Sequence, residues 1–221
     1  MELQKYIDHT VLFAYSTPED IKTLCEEAKT HQFFSVCVNS GYVEEARTHL
    51  LGSSVQICSV VGFPLGQMDT VSKVFEAKQA IANGAQEIDM VINVGRMKAG
   101  DHEYVFEEIK QIKEAIGEHV LKVIIETCYL TDEEKVTACE LSVKANADFV
   151  KTSTGFGTGG ATPEDVQLML DTVKGKAKVK ASGGVRDAET AKKYIDMGVQ
   201  RLGTSSGIKI VGGGTAEEGS Y

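Results

Sequence analysis

Short apolar runs alternate along the chain with longer stretches whose apolar residues recur at helical spacing. Eight runs rich in β-branched residues begin roughly every 20 to 35 residues, at 6–12, 34–39, 55–63, 87–93, 121–127, 148–154, 178–184 and 201–206. Runs of this length and composition predict buried strands.

The stretches between these runs carry the start and stop signals of helices. The first begins with Ser-Thr-Pro followed by two acidic residues, and another ends on Gly198. A hydroxyl or carboxylate caps the first turn, proline fits its first position, and glycine ends the last turn. Five helices are predicted on this basis, over 16–31, 72–85, 131–147, 161–175 and 187–198.

Strands that alternate with helices favour a parallel sheet covered by helices. Eight such units in 221 residues predict an α/β fold, a single-domain (β/α)₈ TIM barrel over 1–221, with a Gly-rich flexible C-terminal tail from about 211. The alternative is a doubly wound sheet, which usually has a GxGxxG turn after its first strand. The chain has no such turn there.

Composition limits which partners the protein can bind and which cellular compartment it can occupy. The formal net charge is -9 at pH 7, and no basic run reaches five residues, so we expect no nucleic-acid partner. No apolar run reaches about 18 residues and the first residues lack an apolar signal core, so we expect no membrane contact. Five cysteines without a CxxC pair indicate free thiols and predict a cytoplasmic protein.

Three ionisable residues interrupt apolar strands: Asp89, Lys151 and Lys180. A lone strand lysine is more often a surface residue or half of an ion pair. Three inward groups in one barrel favour chemistry instead, because two adjacent buried ammonium groups disfavour each other's charge. One amine can then lose its proton and attack a carbonyl to form a Schiff base. The other amine and Asp89 can move protons.

Glycines follow the last three strands at positions suited to an anion. The segment 182–186 follows the seventh strand and enters a helix, and 203–207 follows the eighth. In this fold the loops after strands seven and eight commonly bind phosphate through backbone N–H groups. Gly155 adds a third loop, in which GFGTGG matches GxGxxG but follows the sixth strand, so a dinucleotide site is rejected.

Other polar residues support no cofactor. The five histidines share no metal-ligand spacing, and no His/Asp cluster is evident, so no metal is expected. Asp8 and Thr10 could face the barrel mouth or make core hydrogen bonds. Lys122 and Glu126 share a strand face, which favours structural ion pairs with barrel neighbours, and Cys37 is predicted as a buried thiol.

Seven segments together resemble the 2-deoxyribose-5-phosphate aldolase family: IDHT, VVGFPLG, EIDMVIN, LKVIIET, ADFVKTSTGF, KASGGVR and GTSSG. The likeness runs from about Ile7 to Gly214. It implies a metal-free (β/α)₈ enzyme with the Schiff base on Lys151, a second lysine at Lys180 and a proton-relay Asp89. The implied phosphate contacts are Gly155, Gly183, Gly184, Gly203, Ser205 and Ser206.

The resemblance also implies the substrates. They are 2-deoxy-D-ribose 5-phosphate, D-glyceraldehyde 3-phosphate and acetaldehyde, that is, a small phosphosugar and aldehydes. A homo-oligomer, either a dimer or a tetramer, is a further expectation. Several family members end in a tyrosine implicated in proton transfer at C2, which assigns that role to Tyr221. The chain departs from the family at Phe13-Ala14, at Asn39-Ser40 and at Phe156.

Two other classes of function remain open at this point. One is a metal-dependent phosphosugar epimerase or aldolase on the same barrel, which needs clustered ligands. The other is a non-catalytic phosphate-binding barrel, which has no need of two lysines on neighbouring strands.

Overall fold

Eight parallel strands close into one barrel in the computed structural model, which describes residues 2–213. The strands are β1 (Ile7–Thr10), β2 (Ser35–Val38), β3 (Gln56–Val61), β4 (Glu87–Val91), β5 (Val120–Ile124), β6 (Phe149–Lys151), β7 (Lys178–Ser182) and β8 (Arg201–Thr204). Each overlaps one predicted run. β1 pairs with both β2 and β8, so the predicted TIM barrel is confirmed and the doubly wound alternative is wrong.

Helices follow the strands around the barrel. Within residues 2–213 they are α1 (Pro18–His31), α2 (Val43–His49), α3 (Thr70–Asn83), α4 (Val94–Lys98), α5 (His102–Ile116), α6 (Asp132–Lys144), α7 (Pro163–Val173), α8 (Ala188–Met197) and α9 (Gly207–Val211). Short 3₁₀ turns cover Leu3–Tyr6, Ser40–Tyr42 and Thr127–Tyr129. The five predicted helices are α1, α3, α6, α7 and α8. The tail predicted from about 211 falls largely outside the described residues.

The helix signals act as the sequence indicates. The Thr17 side chain accepts a hydrogen bond from the Asp20 amide, and Asp20 accepts one from the Thr17 amide at 2.7 Å, which closes a capping box on α1. Asp187 caps α8, and Gly198 ends it in a left-handed conformation. These local signals fix where each helix starts, and therefore how long each connection to the barrel is.

Strand residues alternate between two environments. Ile88, Leu121, Val150, Val179 and Leu202 belong to the large apolar core, which also contains helix side chains. Their neighbours in sequence point the other way, into the barrel, and many of them are polar or charged. A small apolar cluster of Leu12, Cys37, Cys58 and Val60 lies apart from the large core. The barrel interior is therefore ionic, while the layer between barrel and helices is apolar.

None of the helices in the described part of the chain is both long and apolar enough to cross a membrane.

Candidate active site

Three carboxylates and four cations meet inside the barrel. Every one of them is at most 5% exposed, and they come from six of the eight strands: Asp8, Glu87, Asp89, Lys122, Lys151, Lys180 and Arg201. Buried charges persist only when each is paired and hydrogen-bonded. With all seven groups ionised the cluster carries one more positive than negative charge.

Asp89 on β4 lies at the centre of the cluster. Its Oδ2 accepts hydrogen bonds from the Nζ atoms of Lys151 and Lys180, each at 2.8 Å. Its Oδ1 accepts from Lys122 Nζ at 2.8 Å and from Cys58 Sγ at 3.0 Å. Burial acts to raise the pKa of Asp89, but the ammonium groups of the three lysines outweigh burial and hold that pKa well below its usual range.

Lys151 and Lys180 lie side by side because their positions pair directly between β6 and β7. Lys180 also donates to Asp8. Burial acts to lower the pKa of Lys180, but the carboxylates of Asp8 and Asp89 outweigh it and raise that pKa, so Lys180 is an ammonium at neutral pH. The structure thus brings together the three residues that the sequence singled out.

The cations differ in how many carboxylates they contact. Lys122 lies 2.6 Å from Glu87, 2.8 Å from Asp89 and 3.8 Å from Asp8. Arg201 binds Asp8 at 2.8 Å and Glu87 at 2.9 Å. Among the described residues Lys151 contacts one carboxylate, that of Asp89. Lys151 is therefore the cation with the fewest anionic partners in a cluster that holds one cation in excess.

Asp8 and Lys122 belong to this cluster, although the sequence ranked them low. The two alternatives left open for Asp8 are now decided, because it lies in the barrel interior and accepts a hydrogen bond from Ser35 at 2.6 Å. Lys122 forms the predicted ion pairs with barrel neighbours. The Thr10 hydroxyl donates to the Asp8 carbonyl at 2.8 Å, a core hydrogen bond.

Glu126 corrects the expectation of a second ion pair. Its carboxylate accepts hydrogen bonds from the Thr154 amide at 3.1 Å and from the Thr154 hydroxyl, which lie just beyond Lys151. Burial raises the pKa of Glu126. Glu126 therefore anchors the loop after β6, and its wide separation in sequence from Thr154 explains why strand spacing could not reveal the contact.

The loops after β6 and β7 contact each other at two glycines, Gly160 and Gly183. A Cβ on Gly160 would lie 2.3 Å from the carbonyl oxygen of Gly183, and Gly183 has φ 80°. Gly155 and Gly184 also have positive φ, at 85° and 81°. Side chains would strain the backbone at these positions. Gly160 and the predicted Gly183 thus allow the two loops to pack together, while Gly155 and Gly184 supply backbone conformations that a side chain would strain.

Gly203 is the third residue of β8 and lies within the predicted eighth run. A Cβ there would lie 2.9 Å from Ser182 Cβ and 3.1 Å from Lys180 Cε. The absence of a side chain therefore leaves room for both neighbours on β7. Ser205 and Ser206 follow β8, and the Ser206 amide donates to Thr204 Oγ1 at 2.9 Å.

Two buried polar atoms near these loops lack a hydrogen-bond partner among residues 2–213. They are the Ser153 hydroxyl oxygen and Arg186 Nε. Ser153 follows Lys151 by two positions, and Arg186 follows Gly184 by two. Buried polar groups without partners are rare in folded chains. Sequence reasoning did not single out either side chain, and both become candidates to bind a ligand.

Aromatic rings and a cavity lie beside the loop after β6. The Phe156 ring is 5.4 Å from that of Phe63 and 6.4 Å from that of Phe13. A cavity of ≈ 460 Å³ is lined by residues that include Leu65, Val91, Glu126, Thr154, Phe156 and Gly157. Two of the departures from the family pattern, Phe13 and Phe156, therefore contact each other through their rings.

Two cysteines join the interior cluster, which the sequence did not reveal. Cys37 and Cys58 are paired positions of β2 and β3, and with Asp89 they offer three potential metal-ligand atoms within 4.8 Å of one another. The hydrogen bond between the two thiols lowers the pKa of Cys37, and burial raises that of Cys58. The expectation of no metal concerned clustered His/Asp ligands and did not consider these thiols. Cys37 is buried as predicted. Tyr221 lies outside the described residues.

Comparison with known proteins supports one family. A model of the family described as DeoC/LacD aldolases matches residues 3–212. The chain is 60% identical to a deoxyribose-phosphate aldolase of Finegoldia magna, over 96% of this chain and 100% of that protein. It is 55% identical to one of Brevibacillus brevis over 100% of both.

Solved structures agree. A tetrameric deoxyribose phosphate aldolase from Aeropyrum pernix superposes with a TM-score of 0.87 at 33% identity, covering 95% of this chain and 89% of that one. A structure described as QR15, an aldolase, gives a TM-score of 0.92 at 43% identity, covering 95% and 94%.

Proposed function

The chain belongs to the DeoC/LacD family of aldolases, and we infer that it carries out the reaction named in its relatives. That reaction is the reversible cleavage of 2-deoxy-D-ribose 5-phosphate to D-glyceraldehyde 3-phosphate and acetaldehyde. The activity is that of a carbon–carbon lyase, class EC 4.1.2.4. The observation that carries the assignment of its active site is the meeting of Lys151 and Lys180 on one oxygen of Asp89.

We propose that Lys151 is the Schiff-base residue. A neutral amine at Lys151 leaves three cations facing three carboxylates, which removes the excess charge of the interior. The Nζ lone pair attacks the C1 aldehyde of the open-chain sugar, and water leaves to give an iminium. The side chain of Lys151 is 3% exposed, whereas those of Lys122 and Lys180 are fully buried, so Lys151 is the lysine that a substrate reaches first.

Asp89 and Lys180 move the proton in the next step. The C3 hydroxyl loses its proton to Asp89, directly or through a water. The C2–C3 bond breaks, and its electron pair passes into the iminium to form an enamine, so that glyceraldehyde 3-phosphate leaves. Lys180 donates to the same oxygen of Asp89 at 2.8 Å, so the two groups are placed to relay that proton between them. Protonation of the enamine and hydrolysis release acetaldehyde and restore Lys151.

The glycine loops are the proposed phosphate site. Gly155, Gly183 and Gly184 present backbone N–H groups without side-chain obstruction, and Ser205 and Ser206 lie across the loop after β8. Arg186 follows Gly184 by two positions, and its Nε, which has no hydrogen-bond partner among residues 2–213, is a further candidate donor. Gly203, the third residue of β8, is also proposed as a phosphate contact.

Reductive trapping tests the assignment of Lys151. Borohydride added with acetaldehyde should leave an ethyl group on Lys151, located by peptide mass mapping, and should abolish activity. The matched control is Lys180→Met, in which Lys151 should still be labelled. An ethyl group on Lys180 in the unmodified chain, or on neither lysine, would contradict the assignment.

A test for a metal requirement distinguishes this mechanism from that of a metal-dependent epimerase or aldolase. We propose that the enzyme needs no metal or cofactor, so dialysis against a chelator should leave its activity unchanged. Activity that is lost and then restored by added zinc would favour the metal-dependent enzyme. A chain that binds inorganic phosphate but forms no borohydride adduct would favour the non-catalytic barrel.

Tyr221 is proposed to move the proton at C2 of the enamine. A phenol can donate that proton and take it back. Tyr221→Phe should slow the exchange of acetaldehyde methyl protons with solvent deuterium, measured by NMR, while Lys151 is still labelled. Exchange at the unmodified rate would remove Tyr221 from the mechanism.

An apolar stripe on α3 supports assembly into a homo-oligomer. Val71 and Phe75 are 76% and 69% exposed and lie about one helical turn apart on α3, and Met68, which is 42% exposed, lies two residues before the helix begins. Exposed apolar patches mark interaction surfaces. We propose that this stripe contacts a second copy of the chain. Light scattering should show a dimer or tetramer, and Phe75→Asp should dissociate it where the exposed Leu51→Asp does not.

We further propose one domain over 1–221 that acts in the cytoplasm on small phosphosugars and aldehydes, without nucleic-acid or membrane partners. All five cysteines are free, which fits a reducing compartment. The formal charge of -9 fits the absence of a nucleic-acid partner.

A further inference from the structure

We propose that Cys37, Cys58 and Asp89 form an inhibitory binding site for a zinc-class divalent cation in the barrel interior. The two thiolates and one carboxylate oxygen would be the protein ligands, and a water would be the fourth. Soft thiolates select zinc and related ions over magnesium or calcium. The metal would act against catalysis rather than for it.

The strand register sets the geometry. Cys37 and Cys58 are directly paired between β2 and β3, and their side chains both point into the barrel. Their sulfur atoms and an Asp89 oxygen all lie within 4.8 Å of one another. With Zn–S bonds of about 2.3 Å, two sulfurs on one tetrahedral ion lie roughly 3.8 Å apart. Small side-chain movements suffice to close the site.

The charge balance permits a cation among lysines. A bare divalent ion would be repelled by an interior that already holds more cations than carboxylates. Binding of the metal, however, releases one proton from each thiol. The two positive charges of the ion are then balanced by the two negative charges of the new thiolates. The net charge of the cluster is then unchanged. A site made of carboxylates alone could not offer this compensation.

The two oxygens of Asp89 have different partners, so a metal can bind one of them while the other keeps its contacts with the reacting lysines. Oδ1 faces Cys58 and Lys122, whereas Oδ2 accepts from Lys151 and Lys180. A metal bound to Oδ1 and to Cys58 displaces Lys122 from both, since Lys122 Nζ lies 2.8 Å from that oxygen and 3.3 Å from Cys58 Sγ. Lys122 keeps its ion pair with Glu87 at 2.6 Å. The reacting lysines can stay in place while the carboxylate that should take the substrate's proton is coordinated. The expected inhibition therefore rests on the proposed function, but the binding itself does not.

The chain supplies its own controls. Cys128 is partly exposed and lies 4.0 Å from Glu126, and Cys139 is buried in α6. Neither belongs to the three-ligand group. Cys128→Ala tests whether any accessible thiol would bind the metal, and Cys139→Ala tests whether removing any buried thiol has the same effect.

The experiment measures binding and activity separately. The metal-free chain is titrated with Zn²⁺ alone by calorimetry, and with Cd²⁺ alone by the ultraviolet absorption of cadmium–thiolate bonds. One ion should bind per chain, and aldolase activity should fall at least about tenfold and return when a chelator is added. Cys37→Ala and Cys58→Ala should each weaken binding by about 10²-fold or more, because half of the thiolate ligands is lost. Circular dichroism checks that both variants fold, and Cys58→Ser provides a second substitution at that position.

Equal binding by Cys37→Ala, Cys58→Ala and the unmodified chain would overturn the proposal, as would weaker binding in Cys128→Ala alone. No cadmium–thiolate absorption would overturn it too. Activity that rises with Zn²⁺ would contradict the inhibitory role. Failure of the proposed aldolase function would look different, since the metal-free chain would be inactive while the cadmium absorption persisted.

Discussion

Two sets of buried charges lie one layer apart in this barrel, and burial affects them differently. In the interior, several lysines surround Asp89. Between α3 and α5, Lys73 meets Glu108 as a single pair at 2.7 Å, with both side chains fully buried. Burial lowers the pKa of Lys73 and raises that of Glu108. In the interior the opposite charges outweigh the effect of burial: the pKa of Asp89 is lowered and that of Lys180 is raised.

The number of partners explains the difference. One opposite charge does not fully offset the loss of hydration of a buried ion, whereas two or three do. The pair holds one cation and one anion, and its remaining hydrogen bonds go to the backbone. Lys73 donates to the Val91 carbonyl at 2.8 Å, and Glu108 accepts from the Asn93 amide at 3.1 Å. The pair therefore holds the end of β4 near Asp89. The interior cluster holds one more cation than carboxylates, so one of its lysines can become neutral and act as a nucleophile without leaving a carboxylate unpaired.

The largest expected effect comes from Lys151→Met. Removal of the proposed nucleophile should lower kcat/KM by more than about 10⁴-fold. The same substitution leaves three interior cations facing three carboxylates, so the free energy of unfolding should not fall. Steady-state kinetics and urea unfolding measure the two quantities on one preparation. Residual activity within about tenfold of the unmodified chain would show that Lys151 is not the nucleophile.

Lys180→Met should reduce the activity by about 10³-fold, the range of a lost proton-transfer group. Asp8 keeps Arg201 and Asp89 keeps Lys122 and Lys151, so no buried carboxylate is left without a cation. Single-turnover trapping should show that the Lys151 adduct still forms. If trapping and turnover fell together, Lys180 would be needed for Schiff-base formation itself.

Lys73→Met tests the buried Lys73–Glu108 pair, the second of the two sets of charges compared above. It leaves the buried carboxylate of Glu108 without its cation, which should destabilise the fold by about 3 kcal/mol. Lys73→Met/Glu108→Gln should recover most of that loss, because the amide is neutral and still accepts from Asn93. Urea unfolding measures both variants. Equal stability of the single and double variants would mean that the charge of Glu108 is not what destabilises Lys73→Met.

The smallest expected effect is the pH dependence of that deficit. The pKa of Glu108 is raised by burial, and loss of Lys73 removes the ammonium that opposes the rise. A carboxyl with a raised folded pKa favours folding at pH below its ordinary range, and this contribution disappears as pH rises through the folded value. The deficit of Lys73→Met, measured by urea unfolding at several pH values, should therefore shrink as the pH falls from neutral toward the ordinary titration range of a glutamate carboxyl. A deficit that grew on acidification would reverse the assignment.

The sequence predicted the elements well because their signals are local. Thr17 with Pro18 and Asp187 with Gly198 mark helix ends within a few residues, and β-branched runs mark strands. Lys151 and Lys180 were recognisable because a charge in an apolar run is conspicuous. Lys122 shows the same anomaly, and its ion pairs with barrel neighbours were predicted. Which carboxylates it contacts could not be predicted, since strand alternation gives the face of a side chain but not its partners.

Chain order, helix caps, strand alternation and the identity of the unusual lysines were determined by the sequence alone, since each depends on residues only a few positions apart. The tertiary structure decided which charges meet. Asp8 and Arg201 are 193 positions apart yet 2.8 Å from each other, because the barrel closes β8 onto β1. Pairing of neighbouring strands places Cys37 beside Cys58, and it brings Thr154, after β6, to Glu126, after β5. Electrostatic interactions depend on distance and on how many partners share a site, and only the folded barrel sets both.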